Sequence, residues 1–130
     1  MKTPRRGYEF VLLSDKVRHA SEPNNPQLIG QWLKQTQCCN DTSVNGHCAQ
    51  CPRAVQQQNC EQQYRLLMET VLDVLTPDAW REACLNQIYQ PLMRLERLAQ
   101  TDQDHQRIQR LIYELNLGAQ YSRLSFYNHG

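Results

Sequence analysis

Apolar residues recur along most of this chain at three- and four-residue intervals, and that spacing predicts helices. Leu28, Trp32 and Gln35 share one face of a helix over 26–37, entered through Asn25 as cap and Pro26 at its first position. Val55, Tyr64, Leu67, Val71 and Leu75 mark an amphipathic helix over 53–75. Thr76 is placed to cap the next helix, with Pro77 at its first position and Asp78 in the first turn, where the helix dipole favours a negative charge. The stripe Trp80, Cys84, Ile88, Leu92 and Leu95 then faces a core, and Cys84 reads as a small apolar member of it. Pro91 lacks the N–H that would reach the carbonyl of Gln87, so a kink or break is expected there.

The last helix opens at Thr101-Asp-Gln-Asp104, a capping-box variant, and carries Ile108, Leu111, Ile112 and Leu115. Leu117-Gly118 resembles a glycine-terminated helix end. The remaining AQYSRLSFYNHG alternates weakly and is aromatic. It is expected to pair with the 8–14 segment or to pack across the bundle, and Tyr121, Phe126 and Tyr127 form a candidate contact surface. Residues 8–14, YEFVLLS, partly alternate and suggest a short strand or a buried extended arm. SEPNNPQ over 21–27 is a loop. The expected fold is therefore mainly α, a single domain of three to five helices over residues 1–130.

Composition refines this reading. At 130 residues the chain is long enough for one real core, so cysteines are not required as staples. Net charge is +1, with five basic residues against two acids in residues 1–20 and four against six in 61–100. This asymmetry is too weak for an extended phosphate-binding surface, and nucleic acid is not an expected partner. The longest early apolar run, FVLL, is too short for a signal-peptide core, and nothing approaches the length of a membrane span. A cytoplasmic setting is expected, in which thiols stay reduced.

That setting matters because five of the six cysteines, with His47, lie between Cys38 and Cys60. The segment reads CCNDTSVNGHCAQCPRAVQQQNC, and its Asn45-Gly46 is a strong turn signal. Cys48-x2-Cys51 lets two thiolates from one tight turn face a common point, which suits tetrahedral zinc and also an iron–sulfur cluster. Cys39 and Cys60 flank this pair at equal gaps of eight residues. The expected ligand set is Cys39, Cys48, Cys51 and Cys60, with Cys38 and His47 as alternates, in a cysteine-rich loop inserted between two helices.

A disulfide framework fits less well, because five cysteines are odd and the sixth sits on a core stripe. A thioredoxin-like motif would need βαβ units that this pattern does not supply. His19, His105 and His129 have no ligand-spaced partners in their own segments, and Asp102 and Asp104 read as first-turn helix acids. Hydrolase, nucleotide-binding and metalloprotease signatures are absent from the sequence. The expected function is a non-enzymatic interaction or regulatory module with one structural Zn2+ and a protein partner. The alternatives are an iron–sulfur protein acting as electron carrier or redox sensor, and an assembly or maturation factor for a metalloprotein.

Overall fold

A computed structural model of the chain describes residues 12–36 and 52–129, with side chains as far as Ser122. Among these residues every regular element is an α-helix. We label the helical residues 12–18 α1, Gln27–Gln35 α2, Arg53–Leu72 α3, Asp78–Gln87 α4, Tyr89–Leu98 α5 and Asp102–His129 α6. The central element is α3, which packs against α4, α5 and α6. It buries Cys60, Gln63, Tyr64, Leu67, Thr70 and Val71 along one continuous face. The partner faces supply Trp80, Cys84, Ile88, Leu92, Leu95, Ile108, Leu111 and Leu115, and these form one contiguous core with Leu28, Ile29, Trp32 and Leu33 of α2. Cys84 is fully buried there, as its place on the stripe requires.

Several local features differ from the sequence pattern, each for a physical reason. Leu12, Leu13 and Ser14 belong to a helix rather than a strand, while residues 8–11 lie outside the described residues. This helix ends with Ala20 at φ 51°, where Ser21 N–H donates to Lys16 O and Ala20 N–H to Val17 O. That is a Schellman end, with alanine in the left-handed position usually given to glycine. Asn25 and Thr76 do not cap through their side chains. The Asn25 amide donates to Glu22, and the carbonyls of Pro26 and Pro77 accept the first helical N–H groups instead. The Asp73 side chain accepts the N–H of Leu75, which turns the chain after Leu72 and leaves Leu75 90% exposed rather than in the core. Gln35 is also exposed.

Pro91 acts as the sequence implies. Helix α4 stops at Gln87 and α5 begins at Tyr89, placing Pro91 in a first turn where its missing N–H costs nothing. Ile88 between them keeps near-helical angles, φ −65° and ψ −20°, so α4 and α5 join without a loop. The capping box forms: Asp104 N–H donates to Thr101 Oγ1, and the Asp104 carboxylate accepts from the N–H groups of Gln100 and Thr101. Those backbone donors, with Arg53, hold its carboxyl below the usual carboxylate range.

Gly118 does not end α6, and the 119–129 tail continues the helix instead of alternating. A Cβ at Gly118 would stand 2.9 Å from Met68 Sδ and 3.6 Å from Leu72 Cδ2. The glycine therefore serves close approach between α6 and α3, not termination.

Among the described residues, carbonyls in the last turns of α1, α2, α3 and α5 accept hydrogen bonds from neighbouring helices. Val17 O of α1 accepts the indole N–H of Trp80 at 2.7 Å. Leu33 O of α2 accepts from Gln63 Nε2 at 2.9 Å. Val71 O of α3 accepts from Arg81 Nε at 2.8 Å and from Ser122 Oγ at 3.3 Å. Leu98 O of α5 accepts from Arg53 Nη1 and Gln57 Nε2 at 3.3 and 3.4 Å. A helix leaves its last four carbonyls without intrahelical donors, so these buried or half-buried bonds meet an obligation and fix helix against helix.

Arg81 is fully buried, and its charge also lies at the negative end of the α3 dipole and within 3.3 Å of Asp78. Replacing it by methionine keeps the volume and removes these donors. Arg81→Met is expected to cost about 3 kcal/mol in urea unfolding, since the buried Val71 carbonyl loses its shorter hydrogen bond and the partly exposed Asp78 carboxylate its cation together. The exposed Arg65→Met should stay within about 0.5 kcal/mol. Equal, small effects of the two would contradict this role for Arg81.

Candidate functional site

The described part of the cysteine segment is its end on α3, and three elements converge there. Helix α3 begins at Arg53 after Pro52, whose carbonyl accepts Gln56 N–H, so the proline stands where a helix start needs no donor. Helix α2 ends at Gln35, and Thr36 folds back to donate its hydroxyl to Trp32 O at 2.7 Å. Gln63 then binds this end twice, through Leu33 O and through Thr36 Oγ1 at 2.6 Å. Gln63 is buried, so an amide that satisfies both contacts at once locks the angle between α2 and α3.

Cys60 sits one helical turn before Gln63 on the same face, fully buried and with a free thiol. Arg94 of α5 reaches across to both residues, with Nη1 3.3 Å from Gln63 Oε1 and 4.0 Å from Cys60 Sγ. Burial holds the Cys60 thiol above its ordinary value, against a smaller opposing pull from the Arg94 guanidinium and from Arg97. Cys84 lacks such a counterweight. Burial drives its thiol up to about 12, with only a weak opposing pull from Arg18. The two described cysteines therefore differ in kind: Cys84 is inert packing, and Cys60 is a packed thiol beside a cation.

Cys38, Cys39, His47, Cys48 and Cys51 lie outside the described residues, so the structure places Cys60 alone of the expected ligand set. Among the described residues no three His, Cys, Asp or Glu side chains gather as a metal-binding group. The described ends of the 37–51 segment nevertheless bracket Cys60. Thr36 is bonded to Gln63, and Pro52 precedes Arg53, ten residues earlier on α3 or about 15 Å along its axis. Cys60 falls within that interval.

Comparison with family models, curated proteins and solved structures gives no match.

A second concavity, about 380 Å³, lies between α3, α5 and α6 over Leu95, Ile108 and Leu111. Its carboxylates are already engaged: Glu61 receives both Nε and Nη2 of Arg107, and Asp104 receives Arg53 at 2.9 Å. With its charges paired internally, it offers no aimed group to a ligand. His19 and His105 are exposed and belong to neither place. No described helix is long and apolar enough to cross a membrane. On the outer face of α6, Tyr113, Leu117 and Tyr121 form an exposed stripe at four-residue spacing. Tyr121 thus takes the surface position expected of it, while the side chains of Phe126 and Tyr127 lie outside the described residues.

Sequence patterning did not single out Gln63, Thr36 or Arg94. The available signal was the position of Gln63, since a polar residue at i+3 from Cys60 and i−4 from Leu67 stands on the apolar face. Nothing local marks Arg94, whose role depends on α5 crossing α3.

The two environments predict different reactivity. At pH 8 a thiol titrating near 12 is ionised to only about one part in ten thousand, so Cys84 is expected to resist iodoacetamide until the protein unfolds. A folded-state value raised in this way adds stability that is fully present below about pH 9 and is lost as pH rises toward 12. Peptide mapping after native alkylation checks this. Carboxamidomethyl-Cys84 in folded protein would contradict it.

Proposed function

We propose that residues 38–60 form a structural zinc module with Cys39, Cys48, Cys51 and Cys60 as ligands, and that the bundle is a non-enzymatic platform for a protein partner. The observation that carries this reading is the placement of Cys60: a free thiol on the central helix, lying between the described ends of the cysteine segment, with Arg94 Nη1 4.0 Å from its sulfur. Thiolate is the form that binds metal. The C-x2-C pair supplies two further sulfurs, and Cys39 the fourth, with Cys38 and His47 as the alternates. Bound there, zinc would join the end of α2 to the start of α3 and add its binding energy to folding.

The partner would meet the uncovered Tyr113–Leu117–Tyr121 face of α6, where amphipathic aromatic rings offer large contact area. The reading places the protein in the cytoplasm, where reduced thiols are available to the metal. Neither nucleic acid nor membrane has a part in it.

Protein purified without oxygen is expected to be colourless and to contain one zinc per chain by elemental analysis. Cys48→Ser and Cys60→Ser should each lose it, and a strong chelator should lower the unfolding midpoint of the wild type. A brown protein with thiolate–iron absorbance near ~400 nm would favour the cluster instead. Metal-free wild type that is fully folded, insensitive to chelator and rich in titratable thiols would overturn both.

A further inference from the structure

We propose that the exposed face of α6 is a two-fold interface between two copies of this chain; the inference rests on the partner reading above and names that partner. Tyr113, Leu117 and Tyr121 stand 65%, 51% and 53% exposed on the outer side of α6. Their four-residue spacing makes one ridge, and its order, Tyr-x3-Leu-x3-Tyr, is the same read in either direction. A closed pair needs such a self-complementary surface, because each contact occurs twice. With a two-fold axis at Leu117, two copies of α6 meet antiparallel, leucine on leucine and each Tyr113 level with Tyr121 of the second copy. Ridges of this spacing interdigitate at about −50°, the commonest crossing between helices. The three positions carry no charge, while Arg110, Glu114 and Gln120 stand exposed around them, as in an interface with an apolar centre and a polar rim.

The surface extends beyond the helix. Leu72 reaches α6 at Gly118, where a Cβ would stand 3.6 Å from Leu72 Cδ2, and Ser122 Oγ donates to Val71 O. Leu72, Val74 and Leu75 at the α3–α4 turn are themselves exposed, so the turn continues the apolar ridge. Gly118 is next to Leu117, and an antiparallel two-fold there brings the two turns together on one side of the crossing. The six side chains expose on the order of 700 Å² per copy, more than the patches usual on a monomer and close to the roughly 800 Å² that each partner buries in a stable interface. Net charge is +1, so two copies approach with little repulsion. A partner recognised through charge would find none to pair with along this ridge.

The test is sedimentation velocity of the full chain over a range of concentrations. Wild type is expected to pass from monomer to dimer in the micromolar range, the weaker end for interfaces of this size. Leu117→Glu and Leu117→Lys should each weaken association by roughly a hundredfold or more, because each dimer loses the leucine twice. An equimolar mixture of the two should recover the dimer, since position 117 faces itself across the axis. Tyr113→Glu mixed with Tyr121→Lys should also recover it, whereas Tyr113→Glu mixed with Tyr113→Lys should not. Urea unfolding of the dilute variants should stay close to that of dilute wild type, because these side chains are half exposed or more. Wild type that remains monomeric up to about 1 mM would overturn the second copy and leave this face to a different protein. Dimers lost in the single variants but recovered in neither mixture would overturn the two-fold arrangement. A wild-type dimer that both Leu117→Glu and Tyr113→Glu leave intact would overturn the proposal together with the assignment of the partner to this face.

Discussion

The bundle depends on helix ends that are closed by other helices. A helix usually finishes its carbonyls locally, with a glycine turn or with water. In this chain local closure is supplemented from other helices: Trp80 adds to the Schellman end of α1, Gln63 to the end of α2, Arg81 and Ser122 to that of α3, and Arg53 with Gln57 to that of α5. Each donor stands on a different helix from its acceptor, so each cap is also a tertiary contact. Apolar stripes alone would let helices slide or rotate against one another. These polar bonds have one satisfied arrangement, and they specify it.

Helix α3 benefits most, because it both gives and receives such bonds. Near its C-terminal end the buried Arg81 guanidinium meets Val71 O, and at its first turns Arg53 and Gln57 reach Leu98 O. Gln63 lies between, committed to α2. A sulfur carried by this helix is therefore held in place by the whole bundle. That is the property a metal ligand needs if most of its companions come from a turn-rich segment. The same contact that closes α2 also fixes Arg94 over Cys60, so fold and site share residues.

The fold class was legible in the sequence because most stripes are regular. The Trp80–Leu95 stripe, the Pro91 break and the Thr101–Asp104 box all depend on neighbours within a few residues, and each appears in the structure. What the sequence concealed is nonlocal. Gly118 looks like a helix end unless Met68 is known to lie against it. Leu75 fits the α3 period, but the Asp73 turn removes it from the core. YEFVLLS alternates enough to suggest a strand, yet Leu12 and Leu13 are helical in a bundle with no described sheet to join. Gln63, Arg81 and Arg94 are ordinary polar residues until their crossing partners are seen. In the site, the C-x2-C motif was plain from spacing alone, whereas the cation beside Cys60 needed the packing of α5 on α3.

The central claim is that this thiol and its neighbours in the sequence hold zinc through sulfur. Zinc-edge X-ray absorption on the anaerobically purified full chain tests it most directly. The account predicts a shell of four sulfurs at about 2.3 Å, the distance of thiolate ligands in tetrahedral sites. A shell made wholly of nitrogen and oxygen, or wild-type protein with no zinc edge at all, would contradict it.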